Sequence, residues 1–304
     1  MIKNLSFVFL FLTLSYFLKA QTAQPTVLAG AVSFDIPSKI INSSIRVSVS
    51  LPQVYDKNSP KKYPVLYVLD AFYSFPIIHE LHKMMAGEIE PVIIVGLGDD
   101  RISIPEWAVS RYPLLTHDKD SYEDEYHSNN LKTKLISGSG QQYYDAIKTE
   151  VIPFIESIYS TNSDRGLIGH SLSGLFTSHI LFKDNGYFTR FGINSAALFV
   201  NDDEPFKLEQ KYFESKKQLV GKVFLSAAGL EGDNLFVIRT NKFANALRSR
   251  QYDSLKVDSY VFPDESHVSV VGAMLSRSLY SLYGLKVDRS IGQGHRARNI
   301  SIQH

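Results

Sequence analysis

The chain has 304 residues, with 32 Lys and Arg against 31 Asp and Glu, and it contains no cysteine. Disulfide frameworks, thiolate zinc sites, thiol nucleophiles and cysteine-anchored lipoproteins are thereby excluded. Hydrophobic residues make up 44% of the chain and charged residues 21%, so an apolar core is within reach, and the net charge of +1 carries no signal for nucleic acid as a partner.

Lys3 is followed by the apolar stretch 7–18 and then by Lys19, Ala20 and Gln21, the pattern of a secretory signal over 1–20. The run is shorter than the roughly 20 residues of a membrane span. Cleavage after Ala20 would leave no stable membrane insertion and a periplasmic or secreted protein. Leu18 stands where a small residue is preferred, which keeps an uncleaved anchor as the alternative. No Gly/Ser or Pro-rich linker divides the remainder, so one domain is expected over 25–285, followed by a flexible tail over 286–304 that is basic, polar and without apolar periodicity. Oligomeric state leaves no signature.

Residues 45–51 alternate apolar with polar, as a half-buried strand does, and pair with a neighbour near 31–36 in an antiparallel start. Short apolar runs at 65–69, 92–95, 167–168, 223–225 and 260–262 then predict strands buried on both faces. Between them lie helical patterns. Tyr144, Ile147, Val151, Ile155 and Ile158 share one face, with a kink expected at Pro153. Phe243, Ala246 and Leu247 mark a second helix, and Val271, Leu275, Leu279 and Leu282 a last one. Buried strands alternating with amphipathic helices predict an α/β fold whose sheet is mostly parallel, with helices on both faces.

The chemistry concentrates at Gly169-His170-Ser171-Leu172-Ser173-Gly174, where the 167–168 strand turns into an apolar-faced helix through Leu175, Phe176 and Ile180. A nucleophile elbow needs this context, because its serine sits on a sharp turn and the residues two before and two after must be small. Gly169 meets the condition; Ser173 meets it only partly, with the glycine displaced to Gly174. A serine nucleophile needs a base and the base an orienting acid. The 223–225 strand runs into Ser226-Ala227-Ala228-Gly229-Leu230-Glu231-Gly232-Asp233, which places two carboxylates beyond the C-terminal end of a parallel strand, the edge where such sheets assemble their sites. Pro263-Asp264-Glu265-Ser266-His267 follows the 260–262 strand, so His267 sits on a loop that can reach over the sheet, while Asp264 and Glu265 read as solvated loop carboxylates. Leu172, directly after the serine, supplies one backbone N–H to an oxyanion hole.

The order Ser171, then Glu231 or Asp233, then His267 is that of the α/β-hydrolases. The segments Tyr63-Pro64-Val65-Leu66-Tyr67-Val68-Leu69-Asp70, Leu167 through Phe176, Gly229-Leu230-Glu231-Gly232 and Glu265-Ser266-His267-Val268-Ser269-Val270-Val271 resemble the putative-esterase, or esterase D-like, family of that fold. The resemblance covers about 33–285. The family includes siderophore trilactone esterases, feruloyl esterases, S-formylglutathione hydrolases and mycolyltransferases. It implies an α/β-hydrolase fold, Ser171 as nucleophile, His267 as general base and then acid, and Glu231 ahead of Asp233 as the orienting acid. Ala71 or Phe72, after the 65–69 strand, holds the family's matching position for the second oxyanion donor, and Asp70 beside them reads as a turn former. No metal or cofactor is implied.

The other histidines carry less. His79 and His82 are spaced like a helical metal pair, but with no third ligand near they read as helix-surface residues. His170 is expected to point away from Ser171 and to pack or hydrogen-bond locally. His117, His127 and His179 show no pattern, and His295 and His304 belong to the tail. Substrate choice is expected in the long segment 99–140, a lid that carries Arg101, Trp107, Arg111, Tyr112, Tyr122, Tyr126 and His127, able to bind aromatic or anionic acyl groups. The expectation is a serine carboxylic ester hydrolase acting on a small-molecule or glycan-linked ester such as a siderophore or feruloyl ester. Acyl transfer with the same residues, and a catalytically inactive hydrolase fold that binds a ligand or partner, are the alternatives.

Overall fold

The computed structural model describes residues 27–99, 102–216 and 218–285. In chain order these form β1 (Ala31–Ser38), β2 (Ser43–Ser50), β3 (Tyr63–Leu69), α1 (Ala71–Met84), β4 (Ile93–Leu97), α2 (Ile104–Leu115), α3 (Ser121–Leu131) and α4 (Gly140–Ala146). A π turn (Ile147–Val151) joins α4 to α5 (Ile152–Ile158), and β5 (Thr161–His170), α6 (Leu172–Ile180), β6 (Arg190–Asn194), α7 (Val200–Ser215), β7 (Gly221–Ala228), α8 (Leu235–Ser249), β8 (Leu255–Phe262) and α9 (Val270–Tyr283) follow. The eight strands make one sheet in the order β1-β2-β4-β3-β5-β6-β7-β8. β1 and β2 are antiparallel, β2 meets β4 antiparallel, and every pairing from β4 to β8 is parallel. This is the α/β-hydrolase arrangement. The proposed signal 1–20 and the tail 286–304 lie outside the described residues. No helix among the described residues is long and apolar enough to cross a membrane.

The central strands are apolar throughout because both faces are covered. Along β3, Val65, Tyr67 and Leu69 face the core beneath α4 through α8, while Leu66 and Val68 face the core beneath α1 and α9. Each buried side chain of this size contributes about 1.5–3 kcal/mol of transfer free energy. The α4–α5 stretch keeps its predicted apolar face, but the irregularity is a π turn ending before Pro153. Pro153 has no N–H to donate to residue 149 and its ring crowds that carbonyl, so the ladder widens where the proline would otherwise break it.

Three expectations about these elements are corrected, and one strand was not anticipated. β2 is not half-exposed: Ser48 and Ser50 are as buried as Val47 and Val49, because α1 packs on that face. His79 and His82 are consequently buried, not on the helix surface, with His79 Nδ1 2.8 Å from Ser50 Oγ. Burial lowers both their pKa values, that of His82 to about 4. β8 is not buried on both faces, since it forms the open edge of the sheet and alternates between half-buried and exposed residues. The strand at Arg190–Asn194 has no apolar run to announce it. Its Arg190 is buried because it is paired with Asp164 and Glu90, and a Cβ on Gly192 would meet Ile168 at 2.7 Å.

Candidate active site

Three parallel strands end at one edge of the sheet and deliver the residues singled out above. β5 ends at His170, and Ser171 follows with φ 58° and ψ −119°, a positive-φ conformation outside the regions where a side chain is comfortable. The turn is held from several sides. The Ser171 N–H donates to the Asn194 carbonyl at 3.0 Å, tying it to the end of β6. A Cβ on Gly169 would sit 2.1 Å from the Ser173 carbonyl oxygen, so no other residue fits there without moving the helix. Ser173, where a glycine was expected, is fully buried and closes the turn itself. Its Oγ accepts from the His170 N–H and donates to the His170 carbonyl, both at 2.8 Å. Gly174 has its own reason: a Cβ there would lie 2.9 Å from the Asn194 carbonyl oxygen.

The loops after β7 and β8 approach each other at Gly229, where a Cβ would fall 2.4 Å from the Pro263 carbonyl oxygen. Backbone bonds from Gly229 N to Phe262 O (2.7 Å) and from Leu230 N to Glu265 O (2.9 Å) lock the two loops together. Glu231 and His267 are thereby brought into register. His267 Nδ1 lies 3.1 Å from Glu231 Oε1, and His267 Nε2 lies 2.9 Å from Ser171 Oγ. The Glu231 carboxylate is buried, whereas Asp233 is exposed. Asp264 is exposed, and Glu265 accepts from Ser269 instead of reaching His267.

Leu172 opens α6 while Ala71 and Phe72 open α1, so their N–H groups have no carbonyl four residues earlier within the helix. Asp70, before α1, adopts φ 54° and makes no side-chain cap. Its buried carboxylate accepts from Arg111 Nε at 2.7 Å, from Arg111 Nη2 at 2.6 Å and from Trp107 Nε1 at 3.2 Å. Asp70 therefore anchors α2 of the lid as well as forming the turn.

The 99–140 lid contains α2 and α3. Together with the ends of the strands it encloses a cleft of about 590 Å³, whose lining includes Ser171, Tyr122, Tyr126, His127, Phe199 and Phe236, within the 300–1,000 Å³ usual for ligand pockets. Arg111 and Tyr112 also line it, yet both have tasks within the protein: Arg111 on Asp70, Tyr112 as donor to Asp124 Oδ1 at 2.9 Å. Tyr122 and Tyr126 are largely exposed at the mouth. Arg101 lies outside the described residues. Phe199 and Phe236 were not marked by the sequence reading; one follows the unannounced β6 and the other stands five residues after Glu231. His170 packs its ring 4.6 Å from that of His267 and sets Nδ1 3.3 Å from Tyr73 Oη. Among the described residues no group of three or more His, Asp or Glu side chains is placed to hold a metal ion.

Residues 38–257 match the model of the family described as putative esterase. No curated protein matches the chain in sequence. Among solved structures, the BES protein of Bacillus cereus is similar at 26% identity and a TM-score of 0.75, over 87% of this chain and 98% of its own. An IroE-like serine hydrolase from Shewanella oneidensis has 22% identity and a TM-score of 0.69, over 83% of this chain and 80% of its own. The siderophore hydrolase EstA from Aspergillus nidulans has 20% identity and a TM-score of 0.68, over 85% and 97%.

Proposed function

The chain belongs to the putative esterase family, and we propose that it is a serine-dependent carboxylic ester hydrolase that works through an acyl-enzyme. The observation that carries this is the 2.9 Å contact between Ser171 Oγ and His267 Nε2, with Glu231 on the other ring nitrogen. Ser171 Oγ attacks the ester carbonyl carbon as its proton passes to His267 Nε2. Glu231 accepts the Nδ1–H bond, which holds the tautomer and favours the imidazolium that forms. Charge on the carbonyl oxygen is met by the N–H of Leu172 and by that of Ala71 or Phe72, each such donor being worth about 3 kcal/mol to the transition state. Collapse breaks the bond to the leaving oxygen, which takes the proton from His267. Water then repeats the sequence against the oxygen ester on Ser171.

The substrate we assign is an ester with an aromatic acyl part. Tyr122, Tyr126, Phe199 and Phe236 offer faces and edges for stacking around Ser171. Arg111, whose charge Asp70 already meets, contributes shape to the cleft more than charge. We also place the hydrolase domain at 25–285, behind an export signal over 1–20, in the periplasm or outside the cell. The test is stoichiometric labelling of Ser171 by diisopropyl fluorophosphate, followed by hydrolysis of paired esters. Labelling with faster cleavage of feruloyl than acetyl esters is expected. Absence of labelling would refute the serine mechanism, and a strong preference for short aliphatic esters would refute the aromatic assignment.

A further inference from the structure

The two hydrogen bonds of His267 run along its ring plane, one to Glu231 and one to Ser171. They fix two ring atoms, but a rotation about the line joining those atoms leaves both bond lengths nearly unchanged. What stops that rotation is whatever lies on the two ring faces. Phe236 covers one side, with centroids 5.0 Å apart, and His170 lies 4.6 Å away at an interplanar angle of 36°.

His170 is itself fixed. Its main chain is bracketed by Ser173 Oγ, and its Nδ1 is 3.3 Å from Tyr73 Oη. Tyr73 Oη is in turn 3.4 Å from Asp70 Oδ2, the carboxylate that holds Arg111 and Trp107 of α2. Trp107 sets the edge of its ring against Tyr73, at 5.5 Å and 82°, and stacks on Phe72 at 5.8 Å. The lid helix thus touches the second oxyanion position and the support beneath the base through one aromatic residue.

We propose that His170 is a positioning residue that holds the His267 ring in line with Ser171, and that Tyr73 and Asp70 tie that position to the seating of the lid helix. This rests on the esterase assignment made above. A histidine suits the place because it offers a flat ring to His267 and a nitrogen to Tyr73, which phenylalanine lacks. It also has to stay uncharged, since a second cation against His267 would oppose the imidazolium formed during acyl transfer. Burial, with the neighbouring His267, lowers its pKa to about 3, against the pull of Asp70 in the other direction, so the ring is neutral wherever a histidine base can work.

The experiment uses the full chain with 4-nitrophenyl acetate for kcat and KM, diisopropyl fluorophosphate for Ser171, and thermal melting as a control. Wild-type protein labels stoichiometrically. His170→Ala lowers kcat about 30-fold, and His170→Phe and Tyr73→Phe, which keep a ring in place, lower it about 5-fold. KM stays within twofold in each. Trp107→Phe, which takes the N–H from Asp70 and leaves a smaller ring against Tyr73 and Phe72, lowers kcat about threefold in the wild type and has no effect in the Tyr73→Phe background. Labelled wild type with kcat of His170→Ala within twofold of it would overturn the positioning role alone, as would a change confined to melting temperature or to KM. Effects of Trp107→Phe and Tyr73→Phe that simply multiply would overturn the link to the lid. Wild-type protein that does not label would bring down the esterase assignment and this inference together.

Discussion

The two walls of the cleft are held by different means. The wall built from the ends of β5, β6, β7 and β8 is held by backbone: Ser171 N on Asn194 O, Gly229 N on Phe262 O, Leu230 N on Glu265 O, and glycines at 169, 174 and 229 where a Cβ has no room. The lid wall is held by side chains on side chains, with Arg111 and Trp107 on Asp70 and Tyr112 on Asp124, and by Asp124 accepting from the Ser137 N–H. A wall fixed by main chain can hold reacting groups to fractions of an ångström whatever its surface residues become. A wall fixed by exchangeable side chains can change what the cleft admits while touching the chemistry only through the Trp107, Asp70 and Tyr73 contacts.

Substitutions should separate the walls, and the largest effects belong to the first. Ser171→Ala is expected to lower kcat on a chromogenic ester by about 10⁶-fold, the scale on which such nucleophiles act, with an unchanged melting temperature. Glu231→Gln should cost about 10⁴-fold, while Asp233→Asn stays within about twofold; equal losses in the two would remove the distinction between a buried orienter and an exposed neighbour. In the lid, Arg111→Met leaves the Asp70 carboxylate buried without its main partner, and chemical denaturation should register a loss of about 3–5 kcal/mol. That loss of stability should exceed any fall in the activity of the protein that remains folded.

Acid probes both walls at once. His117, in the connection between α2 and α3, and His170 have pKa values lowered by burial to about 2 and about 3. The unfolded chain protonates such groups near 6.5 and the folded protein does not, so their contribution is complete above 6.5 and is lost as pH falls below it. Each adds a slope of about 1.4 kcal/mol per pH unit below 6.5. His117→Gln should flatten the pH dependence of urea unfolding by one proton and leave the kinetics of Ser171 unaltered. Smallest of all, Tyr126→Ala at the mouth should raise KM for a feruloyl ester about threefold, with kcat and acetyl ester hydrolysis unchanged. If kcat fell instead, Tyr126 would act on the chemistry and the contrast between the walls would fail.

Much of the fold is legible in the sequence because its cause is local. The runs at 65–69, 92–95 and 223–225 are apolar without alternation because both faces of those strands are covered, and the strands lie where those runs stand. Ser171, His267 and the pair Glu231 and Asp233 were singled out by the turns that carry them, with Glu231 put first by the family resemblance, and Ser171, His267 and Glu231 meet at hydrogen-bond distance. β6 escaped for the opposite reason. Its Arg190, Gly192 and Asn194 look like loop residues, and they are buried because Asp164 and Glu90 pair with Arg190, Ile168 closes over Gly192, and the Ser226 and Ser278 hydroxyls donate to Asn194 Oδ1. The same holds for Ser48 and Ser50 beneath α1, and for His79 and His82, whose Nδ1 atoms both lie against Ser50 Oγ of a distant strand.

What the sequence by itself determined is the alternation of strands and helices, the cysteine-free chemistry and the positions where a sharp turn is compulsory, all consequences of residues acting on near neighbours. Only the tertiary structure decided that Glu231 and not Asp233 lies against His267, that Asp70 clamps the lid, and that the His170 ring packs on that of His267. Those outcomes depend on where loops from separate strands come together, and no pattern within one segment records the distance to another.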